Sequence, residues 1–294
     1  MKRLLFVFLF MLPSVFGYYE KQELSLFTKD VRSFFIDAGA GFLKVKCIDN
    51  TDKINVYAEI IIENVSEKKA KEYIDKYMKL TLSYENGDAV LKSYFDHNNS
   101  FWKWLEGESF SGYINLVVEM PSNLFLRIDD GSGYLSVDNL KNNLEIDDGS
   151  GDILLANIKG NMRIDDGSGG LNCVNCSGKF YLDDGSGDTK IIDSFVDGKI
   201  DDGSGDLSLM NCSGKLYIDD GSEDIKIVAS FLDIKIDDGS GDINIMDNKG
   251  NVYIDDGSGF VNAIDIDGDL TVSKSNIEDV AYENIAGKVY IIDD

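Results

Sequence analysis

The second half of the chain repeats one pattern of apolar and polar positions every 18 residues. In one copy Leu216 and Ile218 flank Tyr217, and the two flanking positions are apolar in nearly every copy, whereas the middle position varies freely. This alternation predicts a short strand with two inward side chains and one solvated side chain. After the next turn the alternation shifts by one residue. Ile225 and Ile227 then become the inward pair of a second strand.

The turn between the two strands is Asp-Asp-Gly-Ser-Gly, which occurs eight times with no insertion between copies (the copy at 219 ends in Glu223). Glycine adopts positive φ readily, so the Gly-Ser-Gly part predicts a corner. A second corner, Asn-x-x-Gly or Ser-Phe-[Val/Leu]-Asp, closes each copy. A constant period of this length predicts stacked coils that share one core. We therefore predict an all-β fold, a single-stranded β-solenoid (β-helix) with 18-residue coils, over residues 121–294.

Residues 18–120 are predicted to form a β-rich capping region that contains one helix. The segment from Ile36 to Val45 aligns with the repeats and carries Ala38 and Ala40 in place of aspartate and serine, so it is expected to form a first coil. Ser66 to about Met78 has the spacing of an amphipathic helix with Ser66 as its N-cap. Asn86-Gly87 predicts a two-residue hairpin. Longer strands are predicted at Ile54–Glu63, Leu80–Glu85, Ala89–Phe95 and Tyr113–Met120.

Residues 1–17 have the pattern of a secretory signal peptide, with Lys2 and Arg3 followed by the apolar run Leu4–Leu12 and small residues near Gly17. That run is shorter than a typical membrane span, and no later segment is long enough. We expect cleavage after Gly17 and an exported protein, in the periplasm, on the cell surface or secreted.

The chain has four cysteines, at positions 47, 173, 176 and 212. Cys173 and Cys176 form a CxxC pair, but they lie where a repeat strand enters a turn rather than at a helix N-terminus. Cys176 and Cys212 occupy the same repeat position two coils apart, about 10 Å, which is too far for a disulfide. Small apolar fillers of a narrow core are favoured over a metal or redox site.

The formal net charge of −25 argues against a nucleic-acid partner and favours cations or basic partners. Stacked coils bring like carboxylates of neighbouring copies about 5 Å apart. The repulsion along two complete rows is on the order of 10 kcal/mol before screening by salt, so something must offset it. Divalent cations, with Ca²⁺ the best candidate, are one answer, because Ca²⁺ prefers carboxylate and carbonyl oxygens. No other cofactor is implied.

The candidate metal ligands are the two aspartates of every turn. They are Asp129, Asp130, Asp147, Asp148, Asp165, Asp166, Asp183, Asp184, Asp201, Asp202, Asp219, Asp220, Asp237, Asp238, Asp255 and Asp256. A second interpretation stays open. One aspartate of each turn would accept hydrogen bonds from the glycine and serine amides as an Asx-turn, and the other would be solvated.

Trp102 and Trp104 are candidate ligand-binding residues, because exposed aromatic rings stack on sugars or contact a membrane interface. The alternative is that both tryptophans plug the end of the solenoid as part of the cap. The single histidine, His97, lies nearby in a predicted loop with no evident catalytic partner.

The chain resembles the bacterial "putative adhesin" β-strand-repeat family, whose members have no known function. The likeness rests on the strand pair near Phe35–Val45, on Val117–Pro121 followed by Leu-Phe-Leu-Arg-Ile, and on the iterated Ile-x-x-Gly-Ser-Gly-Asp-Ile pattern. The doubled aspartate departs from the family, which commonly has threonine or serine there. The resemblance implies a role in surface interaction and identifies no binding site.

Taken together, the sequence predicts a non-catalytic, adhesin-like protein that contacts a surface or envelope partner, with a glycan among the candidates and self-association through the solenoid ends as another. The alternative is a carbohydrate-active β-helix enzyme or a glycan-binding module. Catalysis is disfavoured because the carboxylates form uniform rows in which no pair stands out. Templating of a mineral or ice surface is a minor alternative.

Overall fold

The computed structural model describes residues 17–96, 111–274 and 276–293. It divides into unit 1 (Met1–Leu140) and unit 2 (Lys141–Asp294). The predicted fold class is confirmed: the chain is an all-β solenoid with 18-residue coils, and its described N-terminal part contains one α-helix. The signal peptide predicted for residues 1–17 lies, except for Gly17, outside the described residues, as do His97, Trp102 and Trp104.

Unit 1 contains nine strands and helix α1 among its described residues. They are β1 (Gly17–Phe27), β2 (Ser33–Ala40), β3 (Leu43–Ile48), β4 (Lys53–Glu63), α1 (Glu67–Tyr77), β5 (Met78–Glu85), β6 (Asp88–Phe95), β7 (Ser111–Pro121), β8 (Phe125–Ser132) and β9 (Leu135–Asp138).

The strands of unit 1 form two sheets. One has the order β1-β4-β7-β3-β9, with antiparallel pairing from β1 to β7 and parallel pairing after it. The other has the order β5-β6-β2-β8 and starts with an antiparallel hairpin. Strands β2 and β3 are the predicted first coil, since β2 pairs in register with the repeat strand β8 and places Ala38 opposite Asp130. Strands β6 and β7 cover the other edges of this coil.

The predicted hairpin and helix of unit 1 are both present, and only the end of the helix differs from the prediction. Asn86 and Gly87 both have positive φ, 52° and 101°, as a two-residue hairpin requires. Helix α1 buries Ala70, Tyr73 and Ile74. Ser66 occupies the N-cap position without a side-chain cap hydrogen bond, and Met78 begins β5, so the helix ends one residue before the predicted boundary.

Unit 2 continues the strand numbering. Its strands are β10 (Leu144–Asp148), β11 (Ile153–Ala156), β12 (Met162–Asp166), β13 (Leu171–Val174), β14 (Ser177–Asp184), β15 (Thr189–Ile192), β16 (Phe195–Asp202), β17 (Leu207–Met210), β18 (Ser213–Asp220), β19 (Ile225–Asp238), β20 (Ile243–Asn248), β21 (Val252–Asp256), β22 (Val261–Ile266), β23 (Leu270–Lys274), β24 (Val280–Ile285) and β25 (Val289–Asp293). A short 3-10 helix, Ile277–Asp279, precedes β24.

All these strands pair in parallel with their equivalents in the next coil, and they form two sheets. We call the sheet that contains β10, β12, β14, β16 and β18 the turn-side sheet, because its strands lead into the Asp-Asp turns. Strand β19 runs around a corner and contributes to both sheets. Most inward positions of the strands hold apolar side chains that stack on their equivalents in the next coil, as Ile146 does on Ile164, so the coils share one apolar core.

The four cysteines are free and buried, as expected for apolar fillers. Cys176 and Cys212 lie in the second corner, where Asn175 and Asn211 supply the positive φ that turns the chain. Within the described ranges, no helix has the length and apolarity needed to cross a membrane.

Candidate functional site: aspartate ladders and a tyrosine–lysine row

The two aspartates of each turn point in opposite directions. Strand alternation continues through the turn, so Asp219 follows the inward Ile218 on the outer face, and Asp220 points inward. In unit 2 the inward set is 1–3% exposed and is called the inner ladder. It consists of Asp148, Asp166, Asp184, Asp202, Asp220, Asp238 and Asp256. The outward set is called the outer ladder and consists of Asp147, Asp165, Asp183, Asp201, Asp219, Asp237 and Asp255. In unit 1, Asp130 is buried and Asp129 is exposed.

Inner-ladder carboxylates hold the corners together. Oδ1 of Asp148 accepts the amide hydrogen of Ser150 at 3.2 Å, and Asp166, Asp184, Asp220 and Asp238 accept the equivalent serine amide at 3.0–3.2 Å. This is the Asx-turn geometry that the sequence analysis left open, and it identifies the second aspartate of the pair as the one involved. The first aspartate is the solvated one.

The second oxygen of these carboxylates is the unusual part of the site. Oδ2 of Asp148, Asp166, Asp220 and Asp238 is buried and has no hydrogen-bond partner among the described residues. Burial raises the pKa of Asp148 and Asp238 to about 6, and that of Asp166 and Asp220 to about 7. Neighbouring aspartates add to the shift, because a like charge disfavours the ionised form. These four carboxyl groups therefore release their protons at a higher pH than an exposed aspartate does.

Among the residues that the structure describes, two members of the inner ladder have a side-chain partner for the second oxygen. The hydroxyl of Thr189 donates to Oδ2 of Asp184 at 3.2 Å, from a position that is Leu171 and Leu207 in the neighbouring coils. The ammonium of Lys274 contacts Oδ2 of Asp256. At these two positions a side chain stabilises the ionised form of an inner-ladder carboxyl group.

Outer-ladder carboxylates are solvated and contact the neighbouring row. Lys199 bridges two coils, at 2.5 Å from Asp201 and 3.2 Å from Asp219, which are about half exposed. The hydroxyl of Tyr217 lies 3.4 Å from Asp237. Within the described residues, no group of three or more His, Cys, Asp or Glu side chains has a geometry that could hold a metal ion.

A third row of aspartates, after the Gly-Ser-Gly turn, has a structural role. Oδ1 of Asp224 accepts the amide hydrogen of Asp242 in the next coil at 2.9 Å, and Asp242 accepts that of Phe260 at 2.9 Å. Asp152, Asp188 and Asp206 make the same contact at 3.1–3.3 Å. Each of these carboxylates is a hydrogen-bonded link from one coil to the next.

Sequence reasoning missed a row on the outer face of the turn-side sheet, next to the outer ladder. Five outward positions in consecutive coils are in register and alternate between tyrosine and lysine. They are Tyr181, Lys199, Tyr217, Lys235 and Tyr253. The ammonium of Lys235 lies 5.2 Å from the ring centre of Tyr217 and 5.4 Å from that of Tyr253. The sequence signal was present, because tyrosine recurs here in every second coil.

A groove of about 600 Å³ lies along this row in unit 2. The rings of Tyr217 and Tyr253 and the Lys235 side chain line it, and Lys215, Asp233 and Asn251 form one rim. Aromatic rings beside polar side chains are a usual composition of a ligand-binding surface.

The family model described as Toastrack DUF4097 matches residues 44–284 of the chain. A "putative cell adhesion protein" from Clostridium sporogenes is 12% identical over 94% of this chain and 100% of its own, with a TM-score of 0.29. A "putative adhesin" from Parabacteroides merdae is 11% identical over 93% and 96%, with a TM-score of 0.35. A "putative lipid binding protein" from Parabacteroides distasonis is 12% identical over 93% and 96%, with a TM-score of 0.29. No curated protein matches the sequence.

Proposed function

This chain belongs to the Toastrack DUF4097 family, and we propose that it works as an exported, non-catalytic binding protein whose solenoid contacts a surface or cell-envelope partner, as an adhesin does. The observation that carries the proposal is the repetition of the outer face. Seven outer-ladder carboxylates recur in register, each followed by the same corner except at Asp219, where Glu223 replaces the second glycine. A surface that repeats at every coil is suited to a partner that repeats as well, because many weak contacts then add.

Catalysis is disfavoured by the same repetition. An enzyme that cleaves glycosidic bonds needs two carboxyl groups with different environments and different roles. Within each ladder, most carboxylates have the same surroundings as their neighbour one coil away. The inner ladder differs in environment from the outer one, but it is 1–3% exposed and out of reach of a substrate. Incubation with plant and bacterial polysaccharides, followed by measurement of new reducing ends, tests this part of the proposal. Release of products at a rate abolished by one aspartate substitution would contradict it.

A deletion of two whole coils tests the binding role. Removal of residues 196–231 joins Ser194-Phe195 to Leu232-Asp233, and this junction reproduces the natural Ser230-Phe231-Leu232-Asp233 corner. The shortened protein keeps both coil types and loses two steps of the outer ladder. We expect it to fold, because coils contact only their neighbours, and to bind isolated cell envelopes more weakly than the full chain. Equal binding of the two proteins to envelopes, or no binding by the full chain, contradicts the proposal.

Divalent cations on the outer ladder are the second part of the proposal. Support comes from exposed carboxylates that repeat about 5 Å apart, close enough for one cation to contact two coils. Lys199 already neutralises the step between Asp201 and Asp219, so we expect Ca²⁺ at other steps of the ladder. Water would complete its coordination. A calorimetric Ca²⁺ titration combined with a thermal melt tests the idea. No heat and no change of the midpoint at millimolar Ca²⁺ would contradict it, and this result leaves the binding role untouched.

A further inference from the structure

We propose that the groove along the tyrosine–lysine row binds an extended, uncharged polysaccharide chain made of β-linked sugars. This inference rests on the proposed binding function and specifies its site and its ligand class. The outer ladder alone does not indicate a sugar ligand. The inference comes from the spacing of the rings, the polar rim and the charges around the groove.

Spacing is the first argument. Parallel strands lie about 4.8 Å apart, so tyrosines in every second coil repeat about every 10 Å along the groove. The two-sugar repeat of an extended β-1,4-linked chain has a similar length, and alternate sugars of such a chain present the same face. Successive sugars of one orientation would therefore meet Tyr217 and Tyr253. Stacking on these rings requires the Lys235 ammonium, which lies 5.2 and 5.4 Å from the two ring centres, to move aside. An exposed contact of this kind is worth only about 0.5–1 kcal/mol, so a sugar can displace it. Aromatic rings are suited to the apolar face of a pyranose because they offer a flat apolar surface at low entropic cost.

Exposure is the second argument. Tyr181 is 44% exposed and Tyr253 is 38% exposed, and Tyr217 between them is half-buried, so all three rings reach the surface. Cross-strand contacts between lysine and tyrosine stabilise the sheet. If stability were the only requirement, lysine at all five positions would expose less apolar surface and make the protein more soluble. Large exposed rings arranged in one line are typical of an interaction surface.

The rim supplies the polar contacts that a sugar needs. Lys215 and Asp233 are exposed on one side of the groove, and Asp269 continues that side. The outer ladder continues on the opposite side of the tyrosine–lysine row, in the same strands. Carboxylates accept hydrogen bonds from neighbouring hydroxyl groups, and ammonium groups donate to ring and hydroxyl oxygens. A chain lying on the rings would have hydrogen-bonding groups along both edges.

Charge decides between uncharged and anionic sugars. The ammonium of Lys199 is already held by Asp201 and Asp219, and Lys235 lies between two rings. On the rim, Lys215 pairs in register with Asp233 of the next coil, so its charge is offset there. The outer ladder then places a line of negative charge along the groove. A polyuronate or sulfated chain would be repelled, whereas an uncharged chain would bind with little dependence on salt.

Calorimetry with defined oligosaccharides tests the inference. The probes are cellohexaose and chitohexaose, two extended uncharged β-1,4 chains, and hexagalacturonate as the anionic probe. We expect at least one uncharged hexamer to bind the full chain and hexagalacturonate not to bind. The double substitution Tyr217→Ala/Tyr253→Ala should weaken binding about tenfold or more, because two stacking rings are lost. Tyr84→Ala, which removes an exposed ring of the β5–β6 hairpin, is the matched control and should bind normally.

A second double variant distinguishes loss of binding from loss of folding. Tyr217→Leu/Tyr253→Leu keeps apolar side chains on the sheet and removes the ring faces, so it should retain the thermal midpoint better and still lose binding. Failure of both uncharged hexamers to bind, preference for hexagalacturonate, or unchanged binding by a folded double variant would overturn the inference. If the wild-type protein binds envelopes but no hexamer, the inference fails while the proposed function stands. If it binds neither, both fail.

Discussion

The ammonium nitrogen of Lys274 lies 2.6 Å from Oδ2 of Asp256, and the two side chains are 1% and 0% exposed. The pairing register places Lys274 directly beside Asp256, in the position that an aspartate of the inner ladder fills in the earlier coils of unit 2. Likewise, Ser273 replaces the aspartate of the outer ladder. The last step of the inner ladder is therefore an ion pair of opposite charges instead of a further repulsion.

Replacement of Lys274 by methionine is expected to be strongly destabilising, because it leaves the Asp256 carboxylate buried without its partner. The expected loss in the free energy of unfolding is about 3–5 kcal/mol. Urea denaturation at pH 8 measures it. The double variant Lys274→Met/Asp256→Asn removes both charges and should recover most of the loss, since an amide costs far less to bury than a charge. A single-variant loss below about 1 kcal/mol, within the range of an exposed ion pair, would contradict the structural role of this contact.

Because the inner-ladder carboxyl groups are buried, we expect the free energy of unfolding to decrease as the pH rises from about 4 to above 7. Burial raises the pKa of Asp166, Asp202 and Asp220 from 3.8 to about 7. Between these values the folded chain holds protons that the unfolded chain has released, so raising the pH favours unfolding. This part of the stability is fully present below about pH 4 and is lost by about pH 7–8. Thermal midpoints measured from pH 5 to pH 8 at constant ionic strength should fall, and a rise over this range contradicts the prediction.

The substitution Asp220→Asn is the matched test of that pH dependence. Asparagine keeps the oxygen that accepts the amide hydrogen of Ser222, and it replaces the unpartnered Oδ2 by a donor that faces neighbouring carboxylates. We expect the variant to be more stable than wild type by about 1–3 kcal/mol at pH 8, with a much smaller difference at pH 5. Asp219→Asn in the outer ladder is the control and should change stability by less than about 1 kcal/mol. Equal effects at the two pH values would disprove the link to proton binding.

The repeat period predicted the coils, the corners and the inward positions, because a shared core accepts only one alternation of side chains. It left two interpretations of the paired aspartates open, metal ligands or an Asx-turn, and did not say which aspartate would accept the amide hydrogen; five turns show the Asx-turn contact. That assignment follows from continuing the alternation of Ile218 through Asp219 to Asp220. The role of Lys274 could not be predicted, since the repeat loses its acidic turn there and only the strand register pairs it with Asp256. The tyrosine–lysine row was overlooked because it repeats over two coils rather than one.

Thr189→Val should be destabilising even though the two side chains have nearly the same shape. The Thr189 hydroxyl donates to Oδ2 of Asp184 and thereby lowers the pKa of that carboxyl, against the larger effect of burial. Without the donor, the pKa of Asp184 rises further, and the ionised form loses its partner. We expect a loss of about 1–2 kcal/mol at pH 8 and a smaller loss at pH 5. Thr271→Val, on the outer face, is the control. A larger loss at pH 5 than at pH 8 would contradict the assignment.

Glu223 is the residue that breaks the Gly-Ser-Gly corner, and its replacement by glycine should be stabilising. It has a φ of 85°, whereas glycine fills the equivalent position elsewhere, as at Gly205 with a φ of 143°. A side chain at positive φ costs on the order of 1 kcal/mol or more, because Cβ approaches the backbone. Glu223→Gly should therefore raise the free energy of unfolding by about 1 kcal/mol, which raises the thermal midpoint by about 2–4 °C.

The converse substitution, Gly205→Glu, is the control for this corner. A Cβ at Gly205 would lie 2.0 Å from the carbonyl oxygen of Gly187 in the preceding coil, so the two coils would have to separate. We expect a loss larger than the gain from Glu223→Gly, because the stacked corners offer no room for the side chain. Measurement in 0.5 M NaCl separates this backbone effect from the removal or addition of one negative charge, since salt screens exposed charges and leaves φ unchanged. If the gain from Glu223→Gly disappears in high salt, electrostatic repulsion rather than backbone strain is its cause.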